Sequence, residues 1–335
     1  MTAIEAISCA FPAQRVTNDE LRAAYPCWDF DRLEKRTGVF ARYVATQEET
    51  ALDFALTACE QLDAEGRLRA AEIDALIFCT QSPDHVTPPN SCVLHGKLGL
   101  RPEVIAFDIT MACSGFIYGL RVADSLIRSG AAKRVLLATA DTYTRYIHAG
   151  DRSTRSLFGD GGAVSIISQS SNGCGIRDIR CGTAGRYYKR VIVPAGGMRT
   201  RRSPETSTEV VDEHGNVRTE EHVKMDGLGV LSFFNSTVPC SIREILSGNG
   251  LSIDDVDVFV LHQASQAALD SLRTILGIPV EKMVFDLAEY GNLVSASIPV
   301  ALSHALERGQ AKRGQLALLS GFGAGLSWGT ALVDL

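Results

Sequence analysis

Three features of the sequence predict a layered α/β protein. Apolar runs of strand length alternate with amphipathic runs of helical spacing along most of the chain. Gly, Pro and Asn clusters punctuate these runs. The order strand, polar turn, helix, strand, glycine turn, strand occurs twice, which suggests a duplicated unit even though no repeated sequence is visible. At 335 residues the chain can carry two core-bearing halves, 1–170 and 171–335, joined at the turn-rich Ser170-Ser171-Asn172-Gly173.

Taken in order, an opening strand at 1–9 leads past Pro12 to a helix at 18–25, with Thr17-Asn18-Asp19-Glu20 as its start signal. Arg32, Lys35, Arg36 and Arg42 cluster around Thr37-Gly38, either as a solvated basic face or as a grip on phosphates. A helix at 50–62 and a strand at 73–79 follow, then a proline-rich loop at 81–90 and a helix at 91–98. The run 104–107 reads as a buried strand and 113–129 as a long helix; 135–139 and 164–167 are strands, the latter led in by Phe158-Gly159-Asp160-Gly161. In the second half, strands are expected at 176–179, 191–193, 256–261 and 283–285, and helices at about 229–246, 267–276 and 295–307. The charged stretch 199–221 reads as a surface excursion. The run 316–333 carries no charge, but Gly321, Gly323, Gly325 and Gly329 make it two core strands around a glycine turn rather than a membrane span.

Composition narrows the function. With 45% apolar and 21% charged residues the chain has the make-up of an ordinary soluble globular protein, and a net charge of −6 argues against broad nucleic-acid binding. The N-terminus lacks the basic and apolar regions of a secretory signal, so a cytoplasmic setting is expected. Nine cysteines with no Cys-x-x-Cys pair argue against zinc ribbons and a disulfide framework, and for a reducing compartment. Cys59, Cys79, Cys92 and Cys240 lie in apolar surroundings and read as packing residues.

Cys113 differs from these. It sits in Ala112-Cys113-Ser114-Gly115-Phe116, where a strand turns into a helix. Unpaired N–H groups and the positive end of the helix dipole at such a place favour thiolate and can hold an oxyanion. Three further places bear polar groups at strand ends or turns: His262-Gln263-Ala264-Ser265, Gly291-Asn292, and Gly321-Phe322-Gly323-Ala324-Gly325 through Trp328-Gly329. The last is not a dinucleotide fingerprint, since its spacing is wrong and it ends the chain.

Together with Arg36-Thr37-Gly38 and Phe158-Gly159-Asp160-Gly161, these motifs, in this order, resemble the thiolase-fold condensing enzymes, above all β-ketoacyl-acyl carrier protein synthase III. The resemblance implies a five-layered αβαβα sandwich of two similar halves acting as a homodimer. Cys113 would be the nucleophile, with His262 and Asn292 handling the second substrate. The backbone N–H groups of Cys113 and Ala324 would form the oxyanion hole, and Phe322 would shape the malonyl pocket. Acyl-coenzyme A and malonyl-acyl carrier protein would be the substrates, with no metal or redox cofactor.

Arg36 and Arg152 match residues that surround the nucleotide end of coenzyme A, while Arg32 stands where an aromatic residue is common. Ser265 replaces the usual Asn, and Ala267 and Ser232 stand where basic carrier-docking residues are common, so the carrier either docks elsewhere or is a dedicated one. Thr87 occupies the place of a bulky aromatic that, in short-chain members, floors the acyl pocket across the dimer interface; its small size is expected to admit a primer longer than acetyl unless another side chain refills the space. Other readings are an acyltransferase passing the Cys113-bound acyl group to an alcohol or amine, a non-catalytic partner subunit, and a papain-type hydrolase. The intact Cys–His–Asn set argues against the partner subunit, and the strand–Cys–helix context against the hydrolase.

Overall fold

The computed structural model describes residues 1–170 and 173–335; Ser171 and Asn172, where the sequence places the join between halves, lie outside the described residues. The first half builds one mixed sheet from β1 (Thr2–Ala10), β4 (Ala75–Cys79), β5 (Ile105–Ile109), β6 (Arg134–Asp141) and β7 (Gly161–Gln169), in the order β1-β7-β6-β4-β5. A small antiparallel pair, β2 (Arg15–Thr17) and β3 (Ala41–Tyr43), stands apart from it. The helices of this half are α1 (Asn18–Ala24), α2 (Phe30–Thr37), α3 (Ala51–Ala64), α4 (Asn90–Lys97), α5 (Gly115–Arg128) and the single turn α6 (Arg152–Arg155). Thr17 and Glu20 form the capping box that starts α1.

In the second half β8 (Ile176–Thr183) opens a sheet that β13 (Val258–Leu261), β14 (Leu316–Gly323) and β15 (Ser327–Asp334) complete, in the order β13-β14-β15-β8. Two small pairs lie outside it: β9 (Val191–Ile192) with β12 (Lys224–Met225), and β10 (Val210–Val211) with β11 (Val217–Arg218). The helices are α7 (Gly227–Gly248), α8 (Gln266–Leu276) and α9 (Ser297–Glu307).

Side-chain alternation on the strands assembles five layers. Inward residues Ala75, Ile77, Val135 and Leu137 of the first sheet and Val258, Val260, Ala317 and Leu319 of the second pack on α5 and α9 between them. Leu76, Phe78, Leu136 and Ala138 face the other way, onto α3 and α4. Phe259, Leu261, Leu318 and Leu332 face α7 and α8. The result is the αβαβα sandwich. The uncharged run 316–333 is an antiparallel hairpin inside it, from Leu316↔Asp334 to Gly323↔Ser327.

Several elements differ from the sequence reading. The run 104–107 does not lie inside the sheet: β5 is its edge, and Ile105 is 42% exposed with Phe107 and Ile109 only partly covered. The strand expected at 283–285 reduces to a single parallel bridge, Phe259↔Met283. It occupies, beside β13, the place that β5 holds beside β4. Arg42 does not join the basic cluster but is buried, donating to Asn18 Oδ1 (2.6 Å) and the Ser156 carbonyl (2.7 Å). Cys59 and Cys79 are packing residues as expected, but Cys92 and Cys240 are exposed. The charged stretch 199–221 carries the β10–β11 hairpin. Arg218 pins it to buried Asp151 (2.6 Å), immediately beside α6, and braces its own turn through Asp212 (2.9 Å). No helix among the described residues is long and apolar enough to cross a membrane.

The middle layer makes a testable demand. Leu120 on α5 is fully buried between the two sheets. Leu120→Ala is expected to destabilise the protein by about 2–5 kcal/mol in denaturant unfolding; a loss below about 1 kcal/mol would show that α5 is not the shared core.

Candidate active site

Cys113 lies in the turn between β5 and α5, half-buried, against the β14 hairpin strand. A Cβ on Gly323 would stand 2.7 Å from Cys113 Cβ and 3.0 Å from its Sγ, and one on Gly321 would stand 2.9 Å from the Cys113 carbonyl. Two glycines on β14 thus let the nucleophile candidate approach this strand. Ala324, the next residue, packs in the same apolar cluster as Cys113 and Phe322.

His262 follows β13 and its backbone N–H donates to Ser320 on β14 (2.8 Å), so the histidine and Cys113 flank the same short stretch of strand. Its ring meets Phe322 edge-on at 5.4 Å. Nδ1 is hydrogen-bonded to Ser297 Oγ (2.6 Å). Ser297 Oγ also accepts the Gln263 N–H (3.3 Å); with its hydroxyl hydrogen given to Nδ1, the imidazole hydrogen sits on Nε2, the tautomer that a donor role requires. Nε2 makes no hydrogen bond among the described residues.

Asn292 is held by a backbone zip. Its N–H donates to Leu157 O (2.9 Å), and its carbonyl accepts from Gly159 N (3.1 Å), giving the bridge Phe158↔Asn292. Side chains at Gly159 and Gly291 would collide with the carbonyls of Tyr290 and Leu157, and Gly291 has φ +68°. This is the physical role of the Phe158-Gly159 and Gly291-Asn292 motifs. Asn292 Oδ1 accepts from Val294 N (2.9 Å), which turns the amide NH2 into its free end.

Two residues of this site were not read from the sequence. Asp141, at the end of β6, is fully enclosed; one oxygen accepts from Gln81 N (2.7 Å), the other from Ser295 Oγ (2.5 Å) and Ser295 N (3.3 Å). Ser297 is the second. The only signals were an acidic residue closing the apolar run 135–140 and a serine five places after Asn292, both too common to single out.

The electrostatics overturn one expectation. Burial, reinforced by the charge of Asp141, pushes the Cys113 thiol well above its ordinary range, so burial outweighs the helix terminus that was expected to favour thiolate. Burial also pushes His262 down to about 3, which keeps it neutral. Asp141 is itself raised to about 6 by burial and is ionised at neutral pH.

The remaining candidates lie at the surface. Arg32 and Arg36 are exposed on α2, and Arg36 Nη2 lies 3.8 Å from where a Gly227 Cβ would stand. Arg152 opens α6, half-buried, beside the pinned hairpin. Thr87 is exposed in the loop after β4, next to Val86 at 92% exposure, and among the described residues no hydrogen bond links it to Cys113, His262 or Asn292. A cavity of about 470 Å³ lies elsewhere, between β1 and the end of α9; its Arg67 and Arg313 are engaged by the carbonyls of Ile4 and Glu5.

Removing the Asp141 charge should free the thiol. In Asp141→Asn the pH midpoint for alkylation of Cys113 by iodoacetamide is expected to fall by on the order of one unit. An unchanged or higher midpoint, in a variant with wild-type melting temperature, would show that Asp141 does not act on Cys113.

Comparison with known proteins places this fold in a family. Residues 107–185 match the family model for 3-oxoacyl-[acyl-carrier-protein (ACP)] synthase III, and residues 246–335 match its C-terminal counterpart. The chain is 34% identical over 324 residues to a β-ketoacyl-[acyl-carrier-protein] synthase III of Clostridium perfringens, covering 97% of this chain and 96% of the relative. It is 37% identical over 328 residues to that of Campylobacter concisus, covering 98% and 95%. A crystal structure of a 3-oxoacyl-(acyl-carrier-protein) synthase III superposes with a TM-score of 0.97 at 39% identity, covering 100% of this chain and 99% of that one. At these identities and coverages, the chain belongs to the β-ketoacyl-[acyl-carrier-protein] synthase III family of condensing enzymes.

Proposed function

We propose that this enzyme transfers an acyl group from acyl-coenzyme A to Cys113 and then condenses it, with loss of CO2, onto a malonyl thioester of an acyl carrier protein. What supports this reading is that Cys113 and His262 flank the same stretch of β14, while His262 Nε2 and the Asn292 NH2 group have no protein partner among the described residues.

In the first half-reaction the Cys113 sulfur attacks the acyl thioester. The oxyanion is stabilised by the backbone N–H groups of Cys113 and Ala324, each worth on the order of 3 kcal/mol of barrier. The C–S bond of the incoming thioester breaks, and coenzyme A leaves as the thiol with the proton that Cys113 gave up. In the second, the malonyl carboxylate departs as CO2 and its electron pair becomes an enolate. His262 and Asn292 donate to the enolate oxygen, beside the apolar wall of Phe322. The enolate carbon attacks the acyl-Cys113 carbonyl, the β-ketoacyl thioester forms, and the Cys113 sulfur takes up a proton from solvent. No metal or redox step is involved.

Around this centre, Arg36 and Arg152 bind the phosphates of coenzyme A, and Arg32 lies alongside on α2. The exposed, apolar edge of β5 is where a second copy adds to the sheet, making a homodimer. In that dimer the exposed Thr87 loop of one subunit closes the acyl pocket of the other, and its small side chain favours a primer longer than acetyl. The free thiols at Cys9, Cys27, Cys59, Cys79, Cys92, Cys113, Cys181 and Cys240 suit a reducing, cytoplasmic setting.

The reading is tested by intact mass after incubation with a panel of acyl-coenzyme A thioesters, followed by a malonyl-carrier chase. An acyl adduct that Cys113→Ala abolishes, and that the chase discharges with release of CO2, is expected; an adduct that the chase leaves in place would favour the plain acyltransferase. A second test follows from His262. Its acidity near 3 means that its neutral form persists down through pH 5. Decarboxylation of malonyl thioester should therefore show no limb from His262 between about pH 5 and 8; a limb near 6 that Asp141→Asn removes belongs to Asp141, and one near 6.5 that persists in that variant would contradict the role of a neutral donor.

A further inference from the structure

The short 3-10 helix Gly185–Arg190, with sequence Gly-Arg-Tyr-Tyr-Lys-Arg, forms a basic ridge over the start of α7. Arg186 and Lys189 are exposed, and Tyr188 is 54% exposed. The guanidinium groups of Arg186 and Arg190 sit over the Tyr187 ring, at 4.7 and 4.2 Å from its centre. Arg190 donates to Gly229 O (2.6 Å) in the first turn of α7, beside Leu228, which is 82% exposed. Arg36 approaches the same turn at Gly227. Four cations therefore gather here, with the carboxylate of Asp226 3.9 Å from Arg190. In a chain of net charge −6 this is a local reversal of sign.

The ridge is joined to the reaction centre by packed rings. Tyr187 meets Phe233 at 5.5 Å, Phe233 meets Phe234 at 5.6 Å, Phe234 meets Phe322 at 4.7 Å, and Phe322 meets His262 at 5.4 Å. The ridge is thus in continuous ring contact with His262 through Phe234 and Phe322, which are buried. The neighbouring faces of α7 and α8, at Ser232 and Ala267, are uncharged.

We infer that the Arg186–Arg190 ridge, with Leu228 and Tyr188 at its apolar centre, is the docking surface for the acidic face of the carrier domain that delivers the malonyl thioester. The inference rests on the condensing reaction proposed above. A mixed basic and apolar patch beside the Arg36 turn, in ring contact with His262, complements a negatively charged domain, steering it on and orienting it.

The test compares wild type with the double variant Arg186→Glu, Lys189→Glu, using malonyl-carrier protein and malonyl-pantetheine as alternative second substrates. The expected result is a KM for malonyl-carrier raised about tenfold or more, with kcat and turnover of malonyl-pantetheine unchanged, and with the salt dependence of kcat/KM weakened. The neutral pair Arg186→Gln, Lys189→Gln should fall between. A carrier KM within twofold of wild type would overturn the inference, as would an equal loss with malonyl-pantetheine. A loss confined to loading from acyl-coenzyme A would also overturn it, assigning the ridge to the nucleotide phosphates. If neither malonyl thioester discharges the wild-type acyl-enzyme, the condensing reaction is what fails. Calorimetric binding of the carrier protein to Cys113→Ala, with and without the charge reversals, then decides the ridge by itself.

Discussion

The six residues from Asn292 to Ser297 are the constraint on which the rest of the site depends. Val294 among them has φ +53°, a left-handed conformation that costs a β-branched residue on the order of 1–3 kcal/mol. The strain is held from three sides. The Leu157–Gly159 backbone grips Asn292, Asp141 grips Ser295 through both its hydroxyl and its N–H, and Ser297 reaches His262. The turn therefore joins elements from both halves of the chain. It fixes the Asn292 amide and the His262 imidazole through one short piece of backbone, so the two donors cannot drift independently.

That arrangement explains why glycine recurs where it does. Gly159 and Gly291 permit the two backbones of the zip to touch, while Gly321 and Gly323 let β14 pass against Cys113. Each is a close approach rather than a flexible joint. The five layers serve the same end: β13 and β14 carry His262 and the Cys113-facing glycines from one sheet, and the turn before α5 brings Cys113 from the other. A site built where two sheets meet their shared helical layer gets its precision from the core around it.

The sandwich was legible because each strand alternates faces and each helix is amphipathic, as at Leu76/Ile77 and along α5. The candidate residues of the site stood out because they sit at strand ends or turns beside glycines. What was not legible depends on contacts distant in sequence. Arg42 looks like a member of a surface cluster until Asn18 and Ser156 are seen to enclose it. The 104–107 run is apolar enough for a central strand, and nothing local shows that it has a neighbour on one side only. The 283–285 run has strand composition, but only one bridge forms beside β13. Asp141 and Ser297 are single polar residues whose meaning is the partner across the fold.

The charge state of Cys113 is the most instructive of these. A helix terminus supplies oriented N–H groups, and by itself it would stabilise thiolate. Desolvation in a buried setting opposes any charge, and the carboxylate of Asp141 opposes a negative one in particular. Both outweigh the terminus, so the resting site holds a neutral thiol beside a neutral imidazole. For the proposed chemistry this is a workable starting point. The N–H groups at the terminus are not spent on a resting thiolate and remain available for the oxyanion that forms only during acyl transfer. The neutral imidazole keeps a hydrogen on Nε2 for the enolate without carrying a charge that would hold the malonyl carboxylate in place. Charge is thereby kept out of the ground state and accepted in the transition states, where differential stabilisation lowers the barrier.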